Sequence, residues 1–326
     1  MRKYMKPLGD KEFIRAVRIR FAFLTMLFSA ILVLSSYLFI NQGHFYYRVN
    51  RALLGLLSGF IFAYSGSMLQ SSLRNPLADP YLLGIGGGAL LSIYMYYLVT
   101  PTPSVLYIPL AASIGGLLAL LLTILIAEAV GGSDVAYVLS GIGITSFSSG
   151  VAITLYYFIL SRAPHTPYIY AMLIGSLVDA TKWKVDFLLP LTLALVFLYF
   201  LIAKPLNTLI IGDEYASQLG FNAKYVRLIT AVVAGLSSSI AISAIGMISF
   251  IGLVSPHIAR LLLRTSDNRF IIPLASLTGA LILSLSDIAA KTFLSWSVGE
   301  VPAGVITSVF GAPLYVVLVL RGYKWR

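Results

Sequence analysis

The sequence predicts an all-α, polytopic membrane protein with about ten transmembrane helices and both termini in the cytoplasm. Three observations carry this. The 326 residues are 59% hydrophobic and only 11% charged, whereas soluble domains carry about 25% charged residues. Apolar stretches of about 20 residues, enough for a helix to cross a ~30 Å hydrocarbon core, recur along nearly the whole chain. The basic residues also sort by side: with the N-terminus inside, 17 of the 23 Lys and Arg fall in inner segments, as the positive-inside rule requires.

The elements follow in order. Residues 1–20 form a basic cytoplasmic lead, "MRKYMKPLGDKEFIRAVRIR". The apolar run after it, 21–40, is longer than a signal-peptide core and lacks a clear small-x-small cleavage site, so it reads as a retained span. Further spans are expected at 50–69, 81–99, 107–128, 137–160, 187–203, 227–244, 247–263, 271–290 and 302–321. A weaker apolar piece, 168–178, is too short to cross and reads as interfacial or re-entrant. The whole chain, 1–326, is thus one transmembrane domain, without a soluble module or a phosphate-cradling G-x-x-x-x-G-K-[ST] loop. The net charge of +11 reflects Lys and Arg retained in cytoplasmic loops, not a nucleic-acid surface. The absence of cysteine excludes disulfides, thiolate metal sites and cysteine nucleophiles.

Two polar segments interrupt the apolar pattern. In "RNPLADPYLLGIGGGA" (74–89), Asn75-Pro76 and Asp79-Pro80 push residues 75 and 79 out of helical conformation. The glycines after them allow close backbone approach. This is either a tight turn followed by a packing stripe or the inner mouth of a transport path, and spacing alone does not choose. The second segment, "KPLNTLIIGDEYASQLGFNAKYVRL" (204–228), is the longest insert between spans. Gly212, Asp213 and Glu214 mark a helix start, with acids at its positive end. Ala216 and Leu219 offer a small apolar face, and Gly220 ends the helix before a second short one carrying Lys224 and Arg227. Two capped amphipathic pieces favour a docking element for a cytoplasmic partner over a plain connector.

Ionisable groups within the spans are few. Glu128 lies at an inner span end, Asp287 pairs in spacing with Lys291 at i+4, and His257 follows Pro256 as a packing histidine. No two carboxylates or histidines have metal-site or acid–base spacing. Arg48 and Arg51, three apart, share a face at the outer start of the second span. They fit either headgroup anchoring or docking of an acidic partner.

Four motifs in order, "SGSMLQSSLRNPLADPYLLGIGGGA", "GDEYASQLG", "GMISFIGLVSPHIARLLL" and "EVPAGVITSVFGAPLYVVLVLR", resemble a permease subunit of the ABC importers for iron-siderophores, haem and cobalamin (the FecCD/BtuC-type, or type II, importers). The resemblance implies a non-catalytic permease in the cell membrane of a prokaryote, moving a metal chelate inward by alternating access. It implies no cofactor on this chain, with ATP and magnesium bound by two separate ATPase subunits. A second permease copy, most simply a homodimer, would complete the path, and an extracytoplasmic solute-binding protein would deliver the cargo.

By the same resemblance, Gly212, Asp213, Glu214, Ala216, Leu219, Gly220 and Lys224 belong to coupling helices within 204–227. Asn75, Leu77, Ser133 and Asp134 narrow the path at its cytoplasmic gate. Arg48, Arg51 and Lys291 face the binding protein, although "RVNR" lacks the family's intervening proline and Lys291 cannot copy an arginine fork. A molybdate or tungstate cargo and an ion-coupled secondary transporter stand as alternatives; the latter needs midplane ion sites that the sequence does not offer.

Overall fold

The computed structural model describes residues 11–40, 45–100, 103–162, 172–294 and 301–322. These are helical apart from short connections, with no strand among the described residues. Helix α1 is Lys11–Ile40, α2 Phe45–Ser72, α3 Ile85–Val99, α4 Ile108–Ala129 and α5 Asp134–Arg162. Then come α6 (Lys182–Ile211), the single turn and a half of α7 (Asp213–Gln218), α8 (Ala223–Ile245), α9 (Ile251–Leu263), α10 (Asn268–Ala289) and α11 (Ala303–Gly322).

Each of the ten apolar segments is therefore helical. Among the described residues seven helices, α1, α2, α4, α5, α6, α8 and α10, are long and apolar enough to cross a membrane, and α3, α9 and α11 are shorter apolar helices.

Local chemistry explains the short ones. α3 cannot start before Ile85, because the two Asx-Pro pairs hold 75–84 in turns. α9 starts only at Ile251, four residues later than its apolar run, because Gly246 (φ 82°) and Phe250 (φ 70°) both take left-handed backbone. The unwound strip between them is not left without partners. Met247 N donates to Met172 O (3.0 Å), Ser176 N to Ile245 O (2.7 Å) and Gly304 N to Gly175 O (3.0 Å). Irregular backbone survives at this depth only when buried and hydrogen-bonded in this way. Residues 172–178, the described part of the piece expected to be re-entrant, supply one partner of each of those bonds. Met172 and 175–177 lie buried beside the ends of α8 and α11.

α2 is the central helix, packed against α6, α8, α9 and α10. Its glycines set the spacing. Gly59 meets the carbonyl of Gly279 on α10, and Gly66 meets that of Gly252 on α9, both without room for a Cβ. Small residues allow this because apolar burial alone does not drive helices together in lipid.

Pro256 inside α9 lacks the N–H that would bond Gly252 O. Gln70 of α2 fills the gap, its Nε2 donating to Gly252 O and Leu253 O at 3.3 Å each. Its Oε1 in turn accepts from Arg260. His257 Nδ1 lies 2.9 Å from Leu253 O, a satisfied packing histidine as expected.

The bundle has two ends. One carries Ser72, the 212–222 connection and Asp267, which accepts from Asn207 at 2.7 Å. The other carries Phe45, Thr181 and Asp287. The 30 residues of α6 run between them, about 45 Å at 1.5 Å per residue.

Candidate functional site

The connection at the first end is shorter than its polar composition implied. α6 runs through Pro205 to Ile211, so only 212–222 lies between long helices, not 204–227. Gly212 closes α6 and precedes α7, whose first turn holds Asp213 and Glu214. Gly220 (φ 81°) takes the left-handed cap, with Phe221 N bonding Ala216 O (2.9 Å) and Gly220 N bonding Ser217 O (3.0 Å).

No second short helix follows. Lys224 and Arg227 lie in the first two turns of the long α8, because nothing between Ala223 and Ile245 breaks it. Asn222 caps that helix, its side-chain oxygen accepting Tyr225 N at 3.2 Å.

The apolar face also divides differently. Ala216 is fully buried against the bundle, whereas Leu219, just past the helix end, is 51% exposed. α7 thus presents Glu214, Tyr215 and Leu219 outward, with Lys224 and Tyr225 exposed beyond them, and turns Asp213 and Ala216, three apart, inward.

Asp213 is the junction of this end. Arg227 makes a two-pronged contact with it, Nη1 to Oδ2 at 2.9 Å and Nη2 to Oδ1 at 2.7 Å. Arg74 donates from Nη2 to the same Oδ1 at 2.9 Å. Arg227 Nε also reaches Ser72 O, the last residue of α2, at 3.3 Å. In sequence Arg74 stands only as the first residue of the 74–89 stretch and Arg227 only as a basic residue of the insert. A pair of arginines flanking a half-buried Asp carries no periodic signal, since Arg74 and Asp213 stand 139 positions apart in the chain.

The 73–84 segment does two things. Near the surface Asn75 is fully buried; its Oδ1 accepts Leu77 N (2.8 Å) and its backbone carbonyl accepts Ala78 N (3.1 Å). Leu77 is half-buried. Further on the segment folds back into the bundle. Asp79 and Pro80 crowd Gly252 together with Phe62, ten residues up α2 from Ser72. Asp79 Oδ2 accepts Tyr81 N at 3.1 Å there.

α5 meets this segment through Gly141, which abuts Leu82, and through Thr145, whose hydroxyl donates to Tyr81 O at 3.1 Å. Ser133 is exposed and caps α5, its hydroxyl accepting Ala136 N at 3.2 Å. Asp134 opens α5, and its side chain lies outside the described residues.

At the other end the three expected docking residues separate. Arg48 is half-buried, and Lys291 is half-buried in the π-turn 290–294 that follows α10. Arg51 is 1% exposed and faces the interior. Its Nε and Nη2 donate to the two carboxylate oxygens of Asp287, both at 2.8 Å. Asp287, which spacing places beside Lys291, also anchors a fork from α2. The signal was present in the sequence as an acid inside an apolar span.

The described residues thus form a bundle of interrupted apolar helices, with a capped turn at one end and a buried ion pair at the other. The chain belongs to the FecCD transport family, which matches residues 12–321. It is 33% identical over 282 residues to the vitamin B12 import system permease protein BtuC of Vibrio parahaemolyticus, covering 86% of this chain and 83% of that one. It is 32% identical over 285 residues to the Fe(3+) dicitrate transport system permease protein FecD of Escherichia coli, covering 86% and 87% respectively. The fold matches a solved structure presented as an inward-facing metal-chelate type ABC transporter. That match has a TM-score of 0.76 at 24% identity, covering 92% of this chain and 99% of the other.

Proposed function

We propose that this chain is the membrane-spanning permease of an ABC importer for a metal chelate, and that it performs no covalent chemistry itself. The observation that carries this reading is α7: a capped turn with Glu214, Tyr215 and Leu219 exposed, held to the body of the bundle through buried Ala216 and through Asp213. Such an element is stiff enough to transmit a push and presents a mixed apolar and acidic face for a partner ATPase. ATP binding on that partner would bias two arrangements of the bundle, outward- and inward-open, through differential contact with α7.

Asn75 and Leu77 lie near the same end as α7 and form the gate in this reading, with Ser133 and Asp134 at the start of α5. Cargo selection falls largely to a solute-binding protein docking at the opposite end. There Arg48 and Lys291 supply the rim charges that steer association, while Arg51 is engaged with Asp287 inside. A second copy of the chain would seat on α5, whose Gly143 and Gly150 have open space where a Cβ would stand and whose Val135, Leu139, Phe147 and Phe158 are exposed.

Glu214→Arg tests the reading. Reconstituted with its ATPase subunits, this charge reversal on the exposed face is expected to abolish ATPase co-purification and stimulated hydrolysis while leaving the thermal midpoint of the isolated chain unchanged. Uptake driven by an ion gradient without any ATPase would replace this reading with a secondary transporter.

A further inference from the structure

We infer that Arg74, through Asp213, is the strut by which movement of α7 reaches the 73–84 segment. The inference rests on the reading of α7 as the seat of the ATPase and adds the path beyond it.

Two guanidinium groups converge on one carboxylate, and their backbones lie on different elements. Arg227 belongs to α8 and holds Asp213 by two bonds (2.9 and 2.7 Å), while its Nε caps the end of α2 at Ser72 O (3.3 Å). Arg74 belongs to the segment itself and takes Asp213 Oδ1 at 2.9 Å. Arg227 thus ties α7 to the rigid helices, and Arg74 ties it to the irregular segment.

The backbone of Arg74 supports this assignment. It sits at φ 52°, a left-handed conformation uncommon for a residue with a side chain. That turn ends α2 and places the side chain against α7. The next residue, Asn75, is fully buried and holds Leu77 N at 2.8 Å. From Asp213 to Leu77 the path is an ion pair, the Arg74 side chain, one peptide bond and the Asn75 side-chain turn.

The same geometry divides labour on α7. Glu214, Tyr215 and Leu219 face outward, whereas Asp213 faces its two arginines. Arg74 and Asp213 are 42% and 44% exposed, so their pair adds little to stability. Arg74 is therefore a positioning residue: losing it changes how the segment responds to α7 and leaves the fold in place.

The chain contains no cysteine, so Leu77→Cys installs a single thiol in the proposed gate. The experiment reads its labelling rate by a membrane-impermeant maleimide in membranes holding this chain and its ATPase subunits, without nucleotide and with ATP plus vanadate. With Arg74 intact the two rates are expected to differ. Arg74→Gln is expected to abolish that difference while the ATPase still co-purifies. Arg74→Lys, which can reach the single Oδ1 contact, is expected to restore it.

A nucleotide-dependent difference that persists in Arg74→Gln would overturn the strut. So would loss of the ATPase from Arg74→Gln, which would make Arg74 part of the seat. If Leu77→Cys is indifferent to nucleotide with Arg74 intact, the gate reading fails and the strut with it. ATPase retained by Glu214→Arg would instead sink the seat alone.

Discussion

Arg51 and Asp287 show how burial changes what a charge is for. A bidentate pair with 1% and 6% side-chain exposure loses its hydration, and the fork geometry is what offsets that loss. Removing one partner takes the two-bond contact from the other. Asp287→Ala is expected to cost about 3–5 kcal/mol, read as a lowered thermal midpoint in detergent. Replacing both, Arg51→Met with Asp287→Leu, is expected to recover most of that loss, because neither charge is then left buried and unpaired.

Asp267, in the connection between α9 and α10, behaves differently. Burial pushes its carboxyl upward, but hydrogen bonds from the Arg269 side chain and backbone and from Asn207 outweigh this and hold it below the usual carboxylate range. A carboxyl depressed in the fold contributes stability that is present above its unfolded value, about 3.9. That contribution is lost as pH falls through the folded value. Between pH 7 and pH 3 the wild type is therefore expected to lose more thermal stability than Asp267→Asn. Equal losses would show that the carboxylate's partners contribute nothing.

Among the helices, packing is governed by where two backbones must touch. At Gly66 an added Cβ would meet Gly252 O, Cα and C of α9, none of which can rotate away. Gly66→Ala is expected to lower stability by about 1–3 kcal/mol, the usual cost of overpacking. Gly143→Ala on α5 has nothing within 4 Å and is expected to raise the monomer's thermal midpoint slightly, because alanine is the better helix former. If the open face of α5 receives a second copy, the same substitution will weaken dimerisation measured by size exclusion with light scattering. The two glycines look alike in sequence, each within a small-residue run. Only the neighbouring element distinguishes a required glycine from a spare one.

For the whole molecule, the sequence by itself determined the helical class, the positions of the ten apolar segments and the breaks at 75–84, Gly212 and Gly220, but not the unwound strip 246–250 or the run of α6 through Pro205. It also marked the two polar segments where coupling and gating are proposed. These features depend on local chemistry: apolar length, proline's missing N–H and glycine's access to left-handed backbone act within a few residues of where they are read.

Tertiary structure alone decided that Arg51 belongs to Asp287, that Asp213 gathers Arg74 and Arg227, and that Ala216 is covered while Leu219 is not. It also decided that Gln70 supplies the donor Pro256 lacks, and that 73–84 folds back to the level of Phe62. Each of these joins residues far apart in the chain through a charge or hydrogen-bonding group whose partner has no fixed spacing. A periodic pattern records which face of a helix is apolar. It carries no record of which of several possible partners that face will meet, because that is settled by the packing of all the helices at once.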